Sequence, residues 1–223
     1  MLLTNSSEFR AFAAGDKFFP LDKDGVFRLS STHFSDTWAA MEKLLATGKT
    51  KAIGISNFNV RRIKELLATA RVVPATNQIE AHPYIQQQEL FDLCKSHNIL
   101  IEAYSPLGNN QTGEARTVDD ATVHAVGDRL GMDAGQVLVS WGVQRGTVVL
   151  PKSVTEKRIQ GNFQDKILPD FEFNELNKLE RHKRFNNPSM RWGYDIFDED
   201  GGDAKVAECA KGYGEENKTK FTV

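Results

Sequence analysis

Apolar residues recur in two alternating patterns along the middle of the chain, and together they predict a repeating strand–helix architecture. Short unbroken apolar runs that end in polar residues predict strands, whereas apolar residues spaced three or four apart predict the helices between them. The predicted strands cover residues 51–57, 75–80, 99–104 and 147–151. Strands that alternate with helices at this spacing are typical of βα units around a parallel sheet, which gives an α/β fold class.

Helical periodicity fills the intervals between these strands. The predicted helices cover residues 35–47, 59–67, 89–97, 118–130, 134–144, 155–163 and 174–183. Residues 1–34 show no regular period, and we expect an extended, solvated loop there with a short hairpin around 23–25. Residues 185–223 are rich in glycine and charge, and we expect an irregular tail.

Composition narrows the class of protein without naming a function. The 223 residues are 40% hydrophobic and 26% charged with a formal net charge of -2, which is typical of a globular domain. A near-neutral charge argues against nucleic acid or an anionic membrane as partner, and no apolar run approaches the ~18 residues of a membrane span. Cys94 and Cys209 lie in no metal-ligand or CxxC spacing, so we expect reduced thiols in a cytoplasmic protein.

The residues after the last predicted strand carry the most distinctive polar pattern of the chain. The strand runs into Leu150-Pro151-Lys152-Ser153-Val154-Thr155, and a helix that contains Arg158 and Asn162 follows. A lysine, two hydroxyls, an arginine and the free N–H groups of a helix N-terminus suit a phosphate group. The alternative is an ordinary helix with Thr155 as its N-cap.

The three earlier strands also end in polar residues, each open to a binding role or a structural one. Ser56 and Asn57 offer a hydroxyl and an amide to a carboxamide group, or else form the turn that starts a helix. Gln78 is placed to point into the mouth of a barrel. Tyr104 suits stacking on a flat heterocycle with Ser105 facing a pyrophosphate, or else it is a core tyrosine before a Pro-Gly turn. Together these ends describe a dinucleotide site, although the sequence contains no GxGxxG loop.

These strand ends resemble the motifs of the aldo-keto reductases, in that family's order and spacing from about Asp36 to Asn187. The motifs are Gly54-Ile55-Ser56-Asn57-Phe58, Asn77-Gln78-Ile79-Glu80 with His82-Pro83-Tyr84, Tyr104-Ser105-Pro106-Leu107-Gly108, and Leu150-Pro151-Lys152-Ser153 with Arg158 and Asn162. The resemblance implies a TIM-type (β/α)8 barrel of which this chain holds roughly the C-terminal half, as four βα units plus a C-terminal helix and tail. Residues 1–34 would then be the loop after a missing N-terminal half, 35–187 the barrel half, and 188–223 a substrate-side segment and tail.

The resemblance further implies NADPH bound across the C-terminal ends of the strands. Ser56, Asn57 and Gln78 would hold the nicotinamide carboxamide, Tyr104 would stack on the ring, and Ser105, Pro106 and Leu107 would line the pyrophosphate path. The adenosine 2′-phosphate would be bound by Lys152 and Ser153 of the 150–155 segment and by Arg158 of the helix after it. Asn162 would contact the adenine. One departure is Gly161, which stands where the family often has Glu or Gln.

The likeness extends to function but not to catalytic residues. The 184–198 segment is similar to that of fungal reductases for glycerol, glyceraldehyde and small sugars, which makes Trp192 a substrate-side candidate; the alternative is plain surface packing. The family's catalytic Asp, Tyr, Lys and His have no counterpart in this sequence, and His82 beside Pro83 is interpreted as a structural turn residue. We therefore assign no catalytic residue.

Two hypotheses of different class follow. The first is an NADPH-dependent reductase of small carbonyl or polyol substrates, for which Met1 is an internal residue of a longer chain and the isolated polypeptide is inactive. The second is a non-catalytic half-barrel that binds NADPH or a protein partner. In either case, open barrel edges at 51–57 and 147–151 favour self-association.

Overall fold

The computed structural model describes residues 10–12, 20–23, 26–109 and 113–217. The chain divides into two compact units. One unit comprises residues 75–186, and the other joins the described residues up to Pro74 with those from Asn187 onward.

Strands and helices alternate along the described residues much as the periodicity predicts. In chain order they are β1 (Arg10–Phe12), β2 (Leu29–His33), α1 (Phe34–Leu45), β3 (Ile55–Ser56), α2 (Val60–Leu67), β4 (Thr76–Glu80), α3 (Gln88–Ser96), β5 (Leu100–Tyr104), α4 (Ala121–Leu130), α5 (Ala134–Gln144), β6 (Val148–Val149), α6 (Glu156–Gly161), α7 (Asp170–Asn177), α8 (Ser189–Trp192) and α9 (Asp203–Asn217). A 3₁₀ turn at Thr117–Asp119 precedes α4.

A parallel sheet organises the unit of residues 75–186 and confirms the predicted α/β class. In this unit β4 pairs with β5 and β5 pairs with β6, all in parallel. The register sets Gln78 opposite Glu102, and Glu80 opposite Tyr104. Because side chains alternate along a strand, all four lie on one face of the sheet. Ile101 and its alternate neighbours are buried on the other face.

The helices of this unit bury one apolar cluster. It consists of Val123, Val126, Met132, Val137, Leu138, Trp141, Leu168 and Leu176, contributed mainly by α4, α5 and α7. The predicted helix at 174–183 instead spans Asp170–Asn177. It ends early because the backbone amides of Arg181 and Lys183 donate to the carbonyl of Tyr84 rather than to the preceding turn of a helix.

In the other unit, the described part of residues 1–34 corrects the expectation of an extended loop there. Arg10–Phe12 and Leu29–His33 pair as antiparallel strands. Between them the amide of Arg28 donates to the Pro20 carbonyl, as in a hairpin, while positions 24 and 25 of the predicted hairpin lie outside the described residues. Backbone hydrogen bonds hold such a ribbon, so it leaves little periodicity in the sequence.

The expectation of an irregular tail over 185–223 is also wrong, since α8 and α9 lie there. The carboxylate of Asp195 accepts hydrogen bonds from the amides of Glu199, Asp200 and Gly202, at 3.0, 2.9 and 3.0 Å. The buried Arg62 of α2 donates to the carbonyls of Ile196 and Asp195. The local bonds of Asp195 and the long-range bonds of Arg62 together hold the 195–202 stretch between α8 and α9.

Candidate functional site

A cleft of about 470 Å³ opens beside the residues that follow β5 and β6. Its walls are Leu107, Arg116, Val118, Asp119, His124, Asp133, Ala134, Gly135, Lys152, Ser153, Lys157, Arg158 and Asn162. Five residues of the predicted cofactor site, Leu107, Lys152, Ser153, Arg158 and Asn162, therefore meet around one space. These residues are up to 55 positions apart in the sequence, and the parallel pairing of β5 with β6 brings the segments that carry them together.

The cleft has an excess of unpaired positive charge. Lys152, Lys157 and Arg158 form no ion pair with any residue that the structure describes. Arg116 is neutralised by Asp119 at 2.8 Å, and its hydrogen bonds hold the pKa of that carboxyl below the usual range. Uncompensated cations around a polar cleft suit a multiply charged anion, because bonds between ions are the strongest hydrogen bonds available to a protein.

The loop before α6 is braced by the Ser153 side chain. The Ser153 hydroxyl accepts a hydrogen bond from the Thr155 amide at 3.1 Å. Thr155 stands at the N-cap position, but its side chain makes no capping bond, which corrects the alternative of a side-chain cap. Leu150 continues the sheet by donating its amide to Ala103, Pro151 is half-buried, and Val154 is exposed. The first-turn amides of α6 thus lack a side-chain cap from Thr155.

The turn after β5 forms the opposite wall. Ser105 has a positive φ of 47°, and Pro106 behind it is buried. The Leu107 carbonyl accepts from the Val118 amide at 3.0 Å. A Cβ atom on Gly108 would lie 2.6 Å from the backbone nitrogen of Thr117, so only glycine fits this close approach.

Gln78, in the middle of β4, and Tyr104, at the carboxyl end of β5, lie on the same face of the sheet as the buried Glu80. The Gln78 amide donates to the Glu102 carboxylate at 2.7 Å, and Tyr104 is half-buried next to it. Glu102 thereby orients the Gln78 amide, a contact that sequence reasoning missed. Its only sequence signal is an acidic residue inside an otherwise apolar strand.

The sequence matches the Aldo/keto reductase family over residues 22–181. This chain belongs to that family. It is 41% identical over 187 residues to "Aldo-keto reductase family 1 member A1-A" of Danio rerio, a match that covers 81% of this chain and 58% of the relative. It is 42% identical over 194 residues to "Glycerol 2-dehydrogenase (NADP(+))" of Hypocrea jecorina, covering 83% and 61%. The human member A1 is 37% identical over 187 residues, with 81% and 58% covered.

Membership in the aldo/keto reductase family confirms the resemblance seen in the motifs, including the likeness to a fungal glycerol dehydrogenase. The family implies a (β/α)8 barrel, and the parallel succession of βα units here agrees with that architecture. The chain spans about three fifths of the length of the relatives named above.

Three residues that the family resemblance singles out lie in the unit that contains the chain's first and last described residues. Ser56 is buried in β3, and Asn57 follows it with a positive φ of 58°. Trp192 of α8 is only 7% exposed, and its ring packs edge-on against Phe27 with centroids 6.4 Å apart.

Sequence reasoning missed a buried polar pair at the end of β4. Glu80 and His82 are both fully buried, and His82 Nε2 lies 2.9 Å from the Glu80 carboxylate. The interpretation of His82 as a turn residue is confirmed, since its carbonyl accepts from the Ile85 amide. The i, i+2 spacing of an acid and a histidine across a strand end was the available signal.

Two further properties concern the described residues only. None of their helices has both the length and the apolar character needed to cross a bilayer. Nor do they contain a group of three or more His, Cys, Asp or Glu side chains arranged to hold a metal ion.

Proposed function

We propose that this chain carries the NADP(H)-binding face of an aldo-keto reductase. Such an enzyme moves hydride between NADP(H) and the carbonyl or alcohol carbon of small aldehydes, ketones or sugars. The observation that carries the proposal is the trio Lys152, Lys157 and Arg158, which are unpaired among the described residues and line one cleft with Ser153 and Asn162. Two or three free cations and a hydroxyl are the donor set that a phosphate monoester requires.

In this proposal, different residues of the chain bind different parts of the cofactor. Lys152, Ser153 and Arg158 hold the adenosine 2′-phosphate, and Asn162 faces the adenine. Leu150, Pro151, Val154 and Thr155 shape the loop that carries these donors. Ser105, Pro106 and Leu107 line the pyrophosphate. Tyr104 stacks on the nicotinamide, whose carboxamide is held by Gln78, Ser56 and Asn57.

The proposed cofactor supplies the hydride, and the residues of this chain bind and orient it. The family's proton-donating tyrosine and its Lys, Asp and His partners have no counterpart among the 223 residues. We accordingly propose that this polypeptide by itself binds NADPH without reducing a carbonyl. Apolar side chains such as Val148 and Leu150, respectively 43% and 40% exposed beside β6, favour association through that edge of a half-barrel.

The substrate proposed is a small carbonyl or polyol of the glyceraldehyde and glycerol class. It rests on the name of the Hypocrea jecorina relative and on the similarity of the 184–198 segment to fungal reductases. Trp192 is the substrate-side residue in this proposal, and a cytoplasmic location goes with it, since Cys94 and Cys209 are free thiols.

The test is a titration of the purified 223-residue chain with NADPH and with NADH, followed by fluorescence. We expect NADPH to bind more tightly, because the 2′-phosphate is the group that the free cations recognise. Equal affinity for both, or no binding, would contradict the proposal. A parallel assay with glyceraldehyde should give no turnover above the blank; clear turnover would refute the claim that the polypeptide is inactive alone.

A further inference from the structure

A buried carboxylate joins two parts of the chain that are far apart in sequence. Glu80, at the end of β4, accepts the amide of Phe185 at 2.8 Å on Oε1 and the amide of Asn186 at 2.8 Å on Oε2. Oε1 also accepts from His82 Nε2 at 2.9 Å. Both oxygens are thus committed to donors, and an ionised carboxylate is the side chain that only accepts.

The charge of Glu80 is maintained by these donors. Burial by itself raises the pKa of this carboxyl, but the hydrogen bond and charge interaction with His82 and the two amides outweigh burial, so the pKa lies below its ordinary value. The 178–186 segment forms no helix or strand of its own. Arg181 and Lys183 of this segment are held at the Tyr84 carbonyl, and its last two residues, Phe185 and Asn186, are held at the Glu80 oxygens.

The side chain of Asn186 connects this segment to the turn after β5. Its side-chain nitrogen donates to the Ser105 hydroxyl at 3.3 Å, and its side-chain oxygen accepts from the side-chain nitrogen of Asn109 at 2.6 Å. One amide thus bridges both ends of the 105–109 turn. Ser105 needs such support, because a non-glycine residue at φ 47° is strained unless its surroundings hold it.

We propose that Glu80 is a positioning residue that, through Asn186, fixes the 105–109 turn in the shape that receives the pyrophosphate of the dinucleotide. The inference rests on the proposed NADP(H) function. Neither Glu80 nor Asn186 lines the cationic cleft at Lys152 and Arg158, and of the 105–109 turn only the apolar Leu107 does. The network therefore acts on the pyrophosphate part of the ligand and supplies no polar side chain to the 2′-phosphate end.

Two variants and a matched control separate this role from general stability. Asn186→Ala removes the bridge to Ser105 and Asn109 while Glu80 keeps both backbone amides. Glu80→Gln sets a side-chain NH₂ against one of three donors and so displaces the 185–186 backbone. Asn174→Ala on the exposed face of α7 makes the same substitution away from the network.

The two ligands to be titrated are NADPH and adenosine 2′-phosphate. Adenosine 2′-phosphate contains the 2′-phosphate that the cationic cleft binds in the proposed function, but it has no pyrophosphate. We expect Asn186→Ala to raise the Kd for NADPH roughly five- to tenfold, the effect of one lost hydrogen-bonding group, with the Kd for adenosine 2′-phosphate and for the control variant unchanged. Glu80→Gln should have a similar effect, and the double variant should lose no more than the single ones, since both act on one turn. If Glu80→Gln does not fold, Asn186→Ala alone decides.

Three outcomes would overturn the inference. An unchanged NADPH affinity in Asn186→Ala would mean that the turn needs no bridge. An equal loss for both ligands would mean a general structural role. If the unsubstituted chain binds neither ligand, the proposed function fails and the inference fails with it; if it binds both and Asn186→Ala matches it, only the inference fails.

Discussion

The phenol of Tyr84 donates a hydrogen bond of 2.6 Å to the carboxylate of Asp120, the residue that also caps α4. The guanidinium of Arg181 lies 3.7 Å above the Tyr84 ring and 3.3 Å from the same carboxylate. Burial, and then the bond to Asp120, raise the pKa of Tyr84 to about 12.

This pKa predicts how stability changes in alkali. An unfolded tyrosine ionises near a pKa of about 10, so the raised folded value means that Tyr84 contributes stability fully below about pH 10. The contribution is lost as pH rises through the folded pKa, about 12. An absorbance titration of tyrosinate should contain one late step that Tyr84→Phe removes. An identical titration in that variant would contradict the assignment.

Two neighbouring arginines offer a matched comparison of buried and exposed ion pairs. Arg62 is buried, donates to the carbonyls of Ile196 and Asp195, and lies 3.3 Å from the Asp198 carboxylate, whereas the exposed Arg61 forms a two-pronged pair with Asp198 at 2.9 and 3.0 Å. We expect Arg62→Ala to lower the free energy of unfolding by about 2–4 kcal/mol, because buried carbonyls lose their donor. Arg61→Ala should cost under about 1 kcal/mol. Urea unfolding curves measure both, and equal costs would argue against the anchoring role of Arg62.

Gly108 and Gly131 separate steric clash from backbone strain. Both have positive φ, but a Cβ atom would meet the Thr117 nitrogen at 2.6 Å at Gly108 and nothing within 4 Å at Gly131. Gly131→Ala should cost about 1–2 kcal/mol of stability from the left-handed backbone alone. Gly108→Ala should cost about 2–5 kcal/mol, since overpacking is added to that strain. Thermal unfolding of the two variants provides the comparison; similar losses would mean that the Thr117 contact yields without cost.

The 2′-phosphate assignment predicts a cofactor-specific loss. Lys152→Ala combined with Arg158→Ala should weaken NADPH binding by about 2–4 kcal/mol and leave NADH binding nearly unchanged, because two charge-assisted bonds are removed. Lys178→Ala, at an exposed lysine directly after α7, is the control. The measurement is calorimetric titration with each cofactor. Equal losses for NADPH and NADH would place the cations elsewhere on the ligand.

Local sequence was sufficient wherever a segment carries its own start signal and its own period. The helix predicted at 134–144 is α5, Ala134–Gln144, whose start is set by a reciprocal pair of hydrogen bonds between Asp133 and Gln136. The helix predicted at 59–67 is α2, and Asn59 caps it by accepting a hydrogen bond from the Arg62 amide at 3.0 Å. Strand ends with polar residues were recognised for the same reason, and their motifs were enough to name the family.

Contacts with residues distant in the sequence determined the element boundaries that hydrophobic periodicity did not predict. The strands β3 and β6 are shorter than the apolar runs at 51–57 and 147–151. The predicted helix at 174–183 ends at Asn177, because the amides of Arg181 and Lys183 donate to the Tyr84 carbonyl. The stretch between α8 and α9 is held by Arg62, which donates to the Asp195 carbonyl from 133 positions away in the sequence.

By itself, then, the sequence determined the α/β class, most helices and five of the residues that line the cleft, because these follow from periodicity, caps and motifs a few residues long. Only the tertiary structure decided that Lys152, Lys157 and Arg158 stay unpaired among the described residues, and that Glu80 holds Asn186 across 106 positions. Such contacts form only once the backbone brings distant groups within hydrogen-bonding range, and no local pattern records which partner a buried carboxylate will find.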